Sequence, residues 1–221
     1  VYVKEVEHVY CLTPRLHKEA TLYRLLEFEN PVSSMVFCNT REETRYVHAF
    51  LEARALPSAM LSSDLPQKKR EKVLAAFREG RIRHLVTTDV ASRGIDIEDL
   101  SHVFIFSTPE SPEQYIHRAG RTGRIGKKGT SLSLVSGAEI MTLSALQKKF
   151  SIDFEERKLP TPAEAKGRWT ERHVAELKEA MSASIFEAYI PLAQQLKGRP
   201  DGDYLTAFAL LPLVFGNDDR A

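Results

Sequence analysis

The sequence has few of the residues that form disulfide frameworks or metal sites. Its 221 residues include two cysteines, Cys11 and Cys38, and both lie in apolar, strand-like runs. The seven histidines are scattered, and no ligand spacing typical of a metal site is present. We therefore expect no metal site in this chain, and we expect both cysteines to be reduced core residues of a cytoplasmic protein.

Long apolar runs and an excess of charge are also missing. No apolar run reaches the roughly 20 residues that span a membrane, and no signal peptide opens the chain, so no membrane association is expected. The net charge is +1, so any binding of nucleic acid must come from local basic patches. Asparagine occurs only three times, which, with helices rich in Arg and Glu, is typical of a thermophile.

Strand-like and helix-like patterns alternate along the first two thirds of the chain. The predicted strands are Glu7–Leu12, Ser34–Cys38, Ala59–Leu61, His84–Thr87, Val103–Phe106 and Thr130–Val135. The predicted helices are Leu16–Phe28, one that begins after Thr40, Pro66–Arg78, Pro112–Arg121 and Ala138–Phe150. This alternation predicts an α/β fold with a parallel sheet and helices on both faces.

The segment from His117 to Arg124, HRAGRTGR, has the most specific chemistry. Arg121 and Arg124 are three residues apart, which at the end of a helix would place both side chains on one face. A guanidinium group can donate two parallel hydrogen bonds to the oxygens of one phosphate. These two arginines could therefore stabilise charge on a transferring phosphoryl group. The alternative is a solvated basic helix end.

A second segment, Leu85–Ile97, reads as a buried strand that delivers polar groups at its carboxyl end. Open α/β sheets bind their ligands at this edge. Thr88 can donate to a phosphate or ribose oxygen, and Asp96 can accept from a sugar hydroxyl. The alternatives are that Thr88 and Asp89 cap a helix and that Asp96 is an ordinary loop carboxylate.

Together these segments resemble the C-terminal RecA-like domain of DEAD-box RNA helicases, from about Val6 to about Leu159. The resemblance also includes Met35–Arg41, which corresponds to motif IV, and Asp64 with the following QKKR. The two segments above correspond to motifs V and VI, and the leading His of motif VI is typical of DEAD-box enzymes. One departure is that SSD stands at 62–64, where many members have HGD.

The resemblance implies that this chain supplies half of an ATP site between two RecA-like domains. Gly94 and Asp96 would hold the nucleotide, Arg121 and Arg124 would reach the γ-phosphate, and His117 and Arg93 would bridge to the other domain. The phosphate loop and the Mg²⁺ ligands would lie on an N-terminal RecA-like domain, so this fragment alone should be inactive. The resemblance assigns RNA-backbone contacts to four residues: Thr40, Gln67, Arg70 and Thr88.

After Phe154 the pattern changes, and we predict a domain boundary between residues 158 and 159. A helical run opens at Thr170, with Val174, Leu177, Met181 and Ile185 at helical spacing, and Tyr204–Phe215 is almost entirely apolar. This tail resembles the dimerisation module of Hera-type thermophilic DEAD-box helicases. We therefore expect a small all-α module that forms a homodimer; the alternative is that it packs back on the RecA-like domain.

The sequence thus predicts the C-terminal half of an ATP-dependent RNA helicase, with RNA and the N-terminal RecA-like domain as partners. The alternative is a non-catalytic module that binds RNA and dimerises. A module without catalysis would be expected to lose the finger arginines, and both are present. The sequence does not predict which RNA is bound or whether an RNA-binding domain follows Ala221.

Overall fold

The structure is a computed structural model that describes residues 5–14, 16–97, 99–123, 128–182 and 189–215, the last five by their backbone. The chain divides into two compact units, Val1–Pro162 and Ala163–Ala221. Within the described ranges, none of the helices combines the length and the apolar character needed to cross a bilayer.

The first unit is built on a seven-stranded sheet. Its strands are β1 (Val6–Leu12), β2 (Ser34–Cys38), β3 (Ser58–Leu61), β4 (His84–Thr88), β5 (His102–Ile105), β6 (Gly129–Val135) and β7 (Glu155–Glu156). They lie in the order β3-β4-β2-β5-β6-β1-β7, and every one of these pairings is parallel. The predicted parallel α/β sheet is confirmed.

Helices connect the strands, as parallel pairing requires. They are α1 (Lys18–Glu29), α2 (Arg41–Glu52), α3 (Gln67–Arg78), α4 (Asp89–Ser92), α5 (Pro112–Ala119) and α6 (Ile140–Phe150), with a 3₁₀ turn at Gly137–Glu139. Alternate residues of each central strand point to opposite faces of the sheet. Val36 and Phe104 face a cluster with α1 and α2, whereas Phe37 and Ile105 face one with α3, α5 and α6.

The order of the strands decides where polar groups meet. β4, β2 and β5 are neighbours, so the residues that follow them lie side by side at the carboxyl edge of the sheet. These are Asp89 after β4, Asn39 after β2, and Ser107 beyond β5.

Several predicted helix bounds differ from the structure by one or more residues, and two of these differences matter most. The prediction that Arg121 lies in the preceding helix is wrong: α5 ends at Ala119, and Gly120 caps it. The helix predicted to open at Thr170 begins instead at Pro162, where proline fits the first turn because its missing N–H is not needed there.

The second unit contains α7 (Pro162–Ser182), α8 (Ile190–Lys197) and α9 (Gly202–Phe215). α9 is helical throughout and carries exposed aromatic side chains, with Tyr204 81% and Phe208 68% exposed. Ile185 of the predicted apolar stripe lies outside the described residues. The predicted boundary at 158/159 falls a few residues before the point at which the two compact units separate.

Buried histidines should make the fold sensitive to acid. His84 is almost fully buried on β4, where its Nδ1 lies 2.9 Å from the Ser34 hydroxyl. Burial lowers the pKa of His84 to about 3, so the folded chain keeps it neutral at pH values where the unfolded chain protonates it. The free energy of unfolding therefore falls as the pH drops below about 6.5, the ordinary histidine pKa.

We expect His84→Gln to remove this part of the pH dependence, which amounts to at most about 1.4 kcal/mol per pH unit. Urea unfolding at pH 7.5 and pH 5.0 measures it. His17→Asn is the control, because the His17 side chain is 77% exposed. Equal losses of stability in wild type and His84→Gln would contradict the assignment.

Candidate functional site

A cleft of about 730 Å³ opens at the carboxyl edge of the sheet. We call it the edge cleft. Its lining includes Thr40 after β2, Thr88 at the end of β4, Asp89 directly after β4, Arg93 after α4, and Gln114 of α5. Residues separated by up to 74 positions in the chain thus share one solvent-open concavity, which is the expected place for a ligand in an open α/β fold.

Thr40 and Thr88 have the same local role at this cleft. Thr40 Oγ1 accepts a hydrogen bond of 3.1 Å from the Glu43 amide and caps α2. Thr88 Oγ1 accepts one of 3.4 Å from the Ala91 amide and caps α4. Capping uses a lone pair of the oxygen and leaves the hydroxyl hydrogen able to donate. The capping alternative for Thr88 therefore holds and is compatible with the predicted contact.

Arg118 is the buried centre of the site, and the sequence analysis did not select it. Its side chain is 1% exposed, and its guanidinium pairs with the Asp89 carboxylate through Nε at 2.9 Å and Nη2 at 2.6 Å. Nη1 donates to the Ser107 carbonyl at 2.7 Å, and Nη2 also donates to Asn39 Oδ1 at 2.8 Å. Arg118 therefore ties α5 to the ends of β4, β2 and β5.

A signal for Arg118 was present in the sequence. It is one of three arginines in HRAGRTGR, and a buried arginine needs a carboxylate partner. Asp89 follows β4 at the same edge and supplies it. The spacing of the motif selects Arg121 and Arg124 and does not distinguish Arg118 as the buried arginine.

Arg121 lies just beyond α5 and is half-buried. Its Nη1 donates to the Ile95 carbonyl at 3.1 Å, and its Nη2 donates to the Ser92 carbonyl at 3.4 Å. The chain turns at Gly123, whose φ of +66° belongs to the left-handed region that glycine adopts without strain. Arg124 lies outside the described residues.

The segment between α4 and β5 presents the predicted nucleotide contacts. Gly94 has a φ of +69° and open space around its Cα, as a close ligand approach requires. Ile95 and Ile97 are 6% and 5% exposed and anchor the segment in the core, so Asp96 between them faces solvent. We call residues 93–97 the Asp96 loop.

Three of the predicted site residues come together. Arg93, His117 and Arg121 line a small cavity of about 80 Å³ next to the Arg118 ion pair. Arg93 and His117 are exposed, which suits contacts to another surface. Among the described residues, no group of three acidic, histidine or cysteine side chains is arranged to hold a metal ion.

The predicted contacts on α3 are placed differently from one another. Gln67 is exposed, and its amide donates to Glu71 Oε1 at 2.8 Å within the helix. Arg70 instead points at α4, where its Nη2 donates to the Ala91 carbonyl at 2.6 Å. The structure therefore gives Arg70 a contact inside the domain in addition to any predicted ligand contact.

Asp64 holds two arginines on the outer side of the edge cleft. Its carboxylate accepts from Arg45 Nη2 at 2.9 Å and lies 3.9 Å from Arg41 Nη1. A hydrogen bond from the Ser62 hydroxyl holds the pKa of Asp64 below its ordinary value, and both arginines act in the same direction. Arg41 and Arg45 line the cleft, so its outer wall carries oriented positive charge.

The chain is similar to known helicases. Residues 17–126 match the helicase conserved C-terminal domain. The ATP-dependent RNA helicase RhlB of Pseudomonas syringae pv. tomato is 43% identical over 143 residues, which are 65% of this chain and 36% of that protein. The chain spans less than half the length of the curated relatives that it matches.

Solved structures agree in fold and sequence. The E. coli DEAD-box protein SrmB, solved with regulator of ribonuclease activity A, matches with a TM-score of 0.65 and 37% identity, over 73% of this chain and 94% of that one. S. cerevisiae Dbp5 bound to RNA and ADP BeF3 matches with a TM-score of 0.68 and 31% identity, over 76% of this chain and 46% of that one.

The buried position of Arg118 makes its removal costly. Arg118→Ala would leave the Asp89 carboxylate, itself 22% exposed, without its partner. Breaking such a pair from one side typically costs about 3–5 kcal/mol of unfolding free energy. We expect a loss of that order in urea unfolding, and we expect Arg118→Lys to recover little because lysine lacks the planar fork.

Arg54→Ala is the control for Arg118→Ala. The Arg118 guanidinium lies 5.4 Å from the centre of the Phe37 ring, and that of Arg54 lies 3.4 Å from the centre of Phe50. Arg54 is exposed, so its loss should cost at most about 1 kcal/mol. Equal stability of Arg118→Ala and Arg54→Ala would show that the buried ion pair is not needed for the fold.

Proposed function

The chain belongs to the DEAD-box RNA helicases, as their C-terminal helicase domain, and we propose that it forms the second half of an ATP-driven RNA-unwinding enzyme. The observation that carries the proposal is the arrangement at one sheet edge. Arg93, His117 and Arg121 line one cavity, and the Thr40 and Thr88 hydroxyls line the adjoining edge cleft. A phosphate-rich ligand and a second protein surface can meet there.

ATP would be shared between this chain and an N-terminal RecA-like domain. Asp96 is exposed between two buried isoleucines and would accept hydrogen bonds from ribose hydroxyls. Arg121, with Arg124, would stabilise negative charge on the γ-phosphate, a role worth on the order of 10³–10⁵ in rate. The phosphate loop and the Mg²⁺ carboxylates would come from the other domain, so the isolated chain should not hydrolyse ATP.

RNA would be held through its sugar-phosphate backbone at the edge cleft. Threonine hydroxyls and arginine guanidinium groups suit phosphate and 2′-hydroxyl contacts that do not depend on base sequence. From the cleft, Thr40, Thr88 and the two arginines beside Asp64, Arg41 and Arg45, would contact RNA. Gln67 and Arg70 of α3 would complete the proposed set of RNA contacts. The relative Dbp5, solved with RNA and ADP BeF3, supports this reading by its likeness.

We further propose a cytoplasmic protein from a thermophile. Both cysteines are free and buried, as in reducing compartments. Arg157 bridges Glu29 and Glu7 at 2.9 Å each, and ion-pair networks of this kind are enriched in thermophilic proteins.

The tail supports a homodimer. In the second unit, Tyr204 and Phe208 of α9 and Leu192 of α8 are more than half exposed. Large exposed apolar patches are uncommon on monomers, and two-fold dimers are the commonest assembly. The apolar residues from Leu211 to Phe215 would add to the interface, although their side chains lie outside the described set.

We expect Arg121→Ala and Arg124→Ala, in the protein that includes the N-terminal domain, to lower RNA-stimulated ATP hydrolysis by at least about 10³-fold. Steady-state phosphate release measures this. The dissociation constant for ATP is measured beside it, because Arg121 also supports two loop carbonyls. Lys148→Ala, an exposed charge on α6, is the control. Near-normal turnover in both variants would remove the finger role.

We expect the full 221-residue chain to sediment as a dimer at micromolar concentration and a version ending at Leu159 to sediment as a monomer. Phe208→Asp should weaken the dimer, since burying a Phe or Leu contributes about 1.5–3 kcal/mol. Lys148→Glu, which changes charge in the other unit, should leave it intact. A monomeric full chain would favour a tail that packs on its own domain.

A further inference from the structure

We infer that Arg78, in the last turn of α3, is a positioning residue that holds the Asp96 loop in place for nucleotide ribose. Arg78 Nη2 donates to the main-chain carbonyl of Asp96 at 3.3 Å. The bond leaves the Asp96 carboxylate exposed and acts on the backbone that carries it. The inference rests on the proposed function, because it requires Asp96 to contact the nucleotide.

A shared hydrophobic core supports the contact between Arg78 and the Asp96 carbonyl. Phe77, the residue before Arg78, lies in the same hydrophobic cluster as Ile95 and Ile97, the neighbours of Asp96. The end of α3 and the Asp96 loop therefore contribute side chains to one core, and Arg78 joins them at the surface. Ile95 and Ile97 are buried and the Asp96 carbonyl accepts from Arg78, so the Asp96 side chain faces solvent.

α3 holds the chain at two points, one just before the Asp96 loop and one within it. Arg70, eight residues before Arg78 and so about 12 Å away along the helix, donates to the Ala91 carbonyl of α4. Arg70 and Arg78 thus hold the two ends of the segment from Ala91 to Asp96. A rigid helix that spans a ligand loop in this way lowers the entropy lost when the loop binds its ligand.

A positioning role predicts a specific signature with nucleotides that lack ribose hydroxyls. The test uses the protein with its N-terminal domain and compares ATP with 2′,3′-dideoxyadenosine triphosphate. Wild type should bind ATP more tightly than the dideoxy analogue. Arg78→Gln should raise the dissociation constant and KM for ATP about three- to tenfold, the worth of one exposed hydrogen bond, with kcat little changed. For the dideoxy analogue the same variant should change nothing.

Two companion variants sharpen the result. Arg78→Lys keeps a donor and should recover part of the ATP affinity. Asp96→Ala should remove the preference for ATP and abolish any further effect of Arg78→Gln in the double variant. Arg81→Gln is the matched control, since Arg81 is exposed three residues later and pairs with Glu79, away from the loop.

The outcomes separate this inference from the proposed function. If wild type prefers ATP but Arg78→Gln weakens both nucleotides equally, or neither, the positioning role of Arg78 is wrong and the ribose role of Asp96 stands. If wild type binds the two nucleotides equally, the ribose role fails and this inference falls with it. If no nucleotide is hydrolysed, the ATPase proposal fails, and the two dissociation constants still decide the role of Arg78.

Discussion

The ion pair between Arg118 and Asp89 is the interaction on which the rest of the site depends. Arg118 joins a helix to three neighbouring strand ends, and its side chain is 1% exposed. A buried guanidinium is stable only where its nitrogens meet acceptors, and Nε, Nη1 and Nη2 of Arg118 each donate at least one hydrogen bond. Arg93, His117 and Arg121 line a cavity whose wall also includes Arg118 and Asp89, so a shift of that wall would break the ion pair. The exposed chemistry of the site thus rests on a buried ion pair.

Much of the fold could be predicted from the sequence, because local pattern and burial agree in a parallel sheet. The strand Ser34–Cys38 was predicted with its observed bounds, since a short β-rich apolar run between turn residues has few other readings. The predicted helix bounds are wrong where one residue, and not the apolar pattern, decides where a helix begins or ends. Gly120 ends α5 before Arg121, and Pro162 starts α7 well before Thr170. The edge strand β7, of two exposed glutamates, carries no apolar signal and was missed.

Five of the predicted site residues, Thr40, Thr88, Arg93, His117 and Arg121, line the two cavities, but the contacts that hold them are not predictable from the sequence. The motifs identify residue types, and types do not reveal which arginine of HRAGRTGR is buried and which is available. That distinction comes from strand order, which sets Asp89 and Asn39 beside α5 across 29 and 79 residues of chain. The contacts of Arg70 and Arg78 with main-chain carbonyls leave no trace in the sequence at all, because every residue has a carbonyl.

The pairing of β1 with β6 has a consequence for how the chain acquires its structure during synthesis. Glu7 and Thr130 are register partners, 123 residues apart, and β1 lies inside the sheet between β6 and β7. β1, the first strand of this sheet in chain order, therefore waits, with an apolar face uncovered, until β6 has been synthesised. Long-range pairings of this kind slow folding and expose nascent chains to aggregation. Among the strands of this sheet, β1 is thus the one that stays unpaired longest and is open to a chaperone for the longest time.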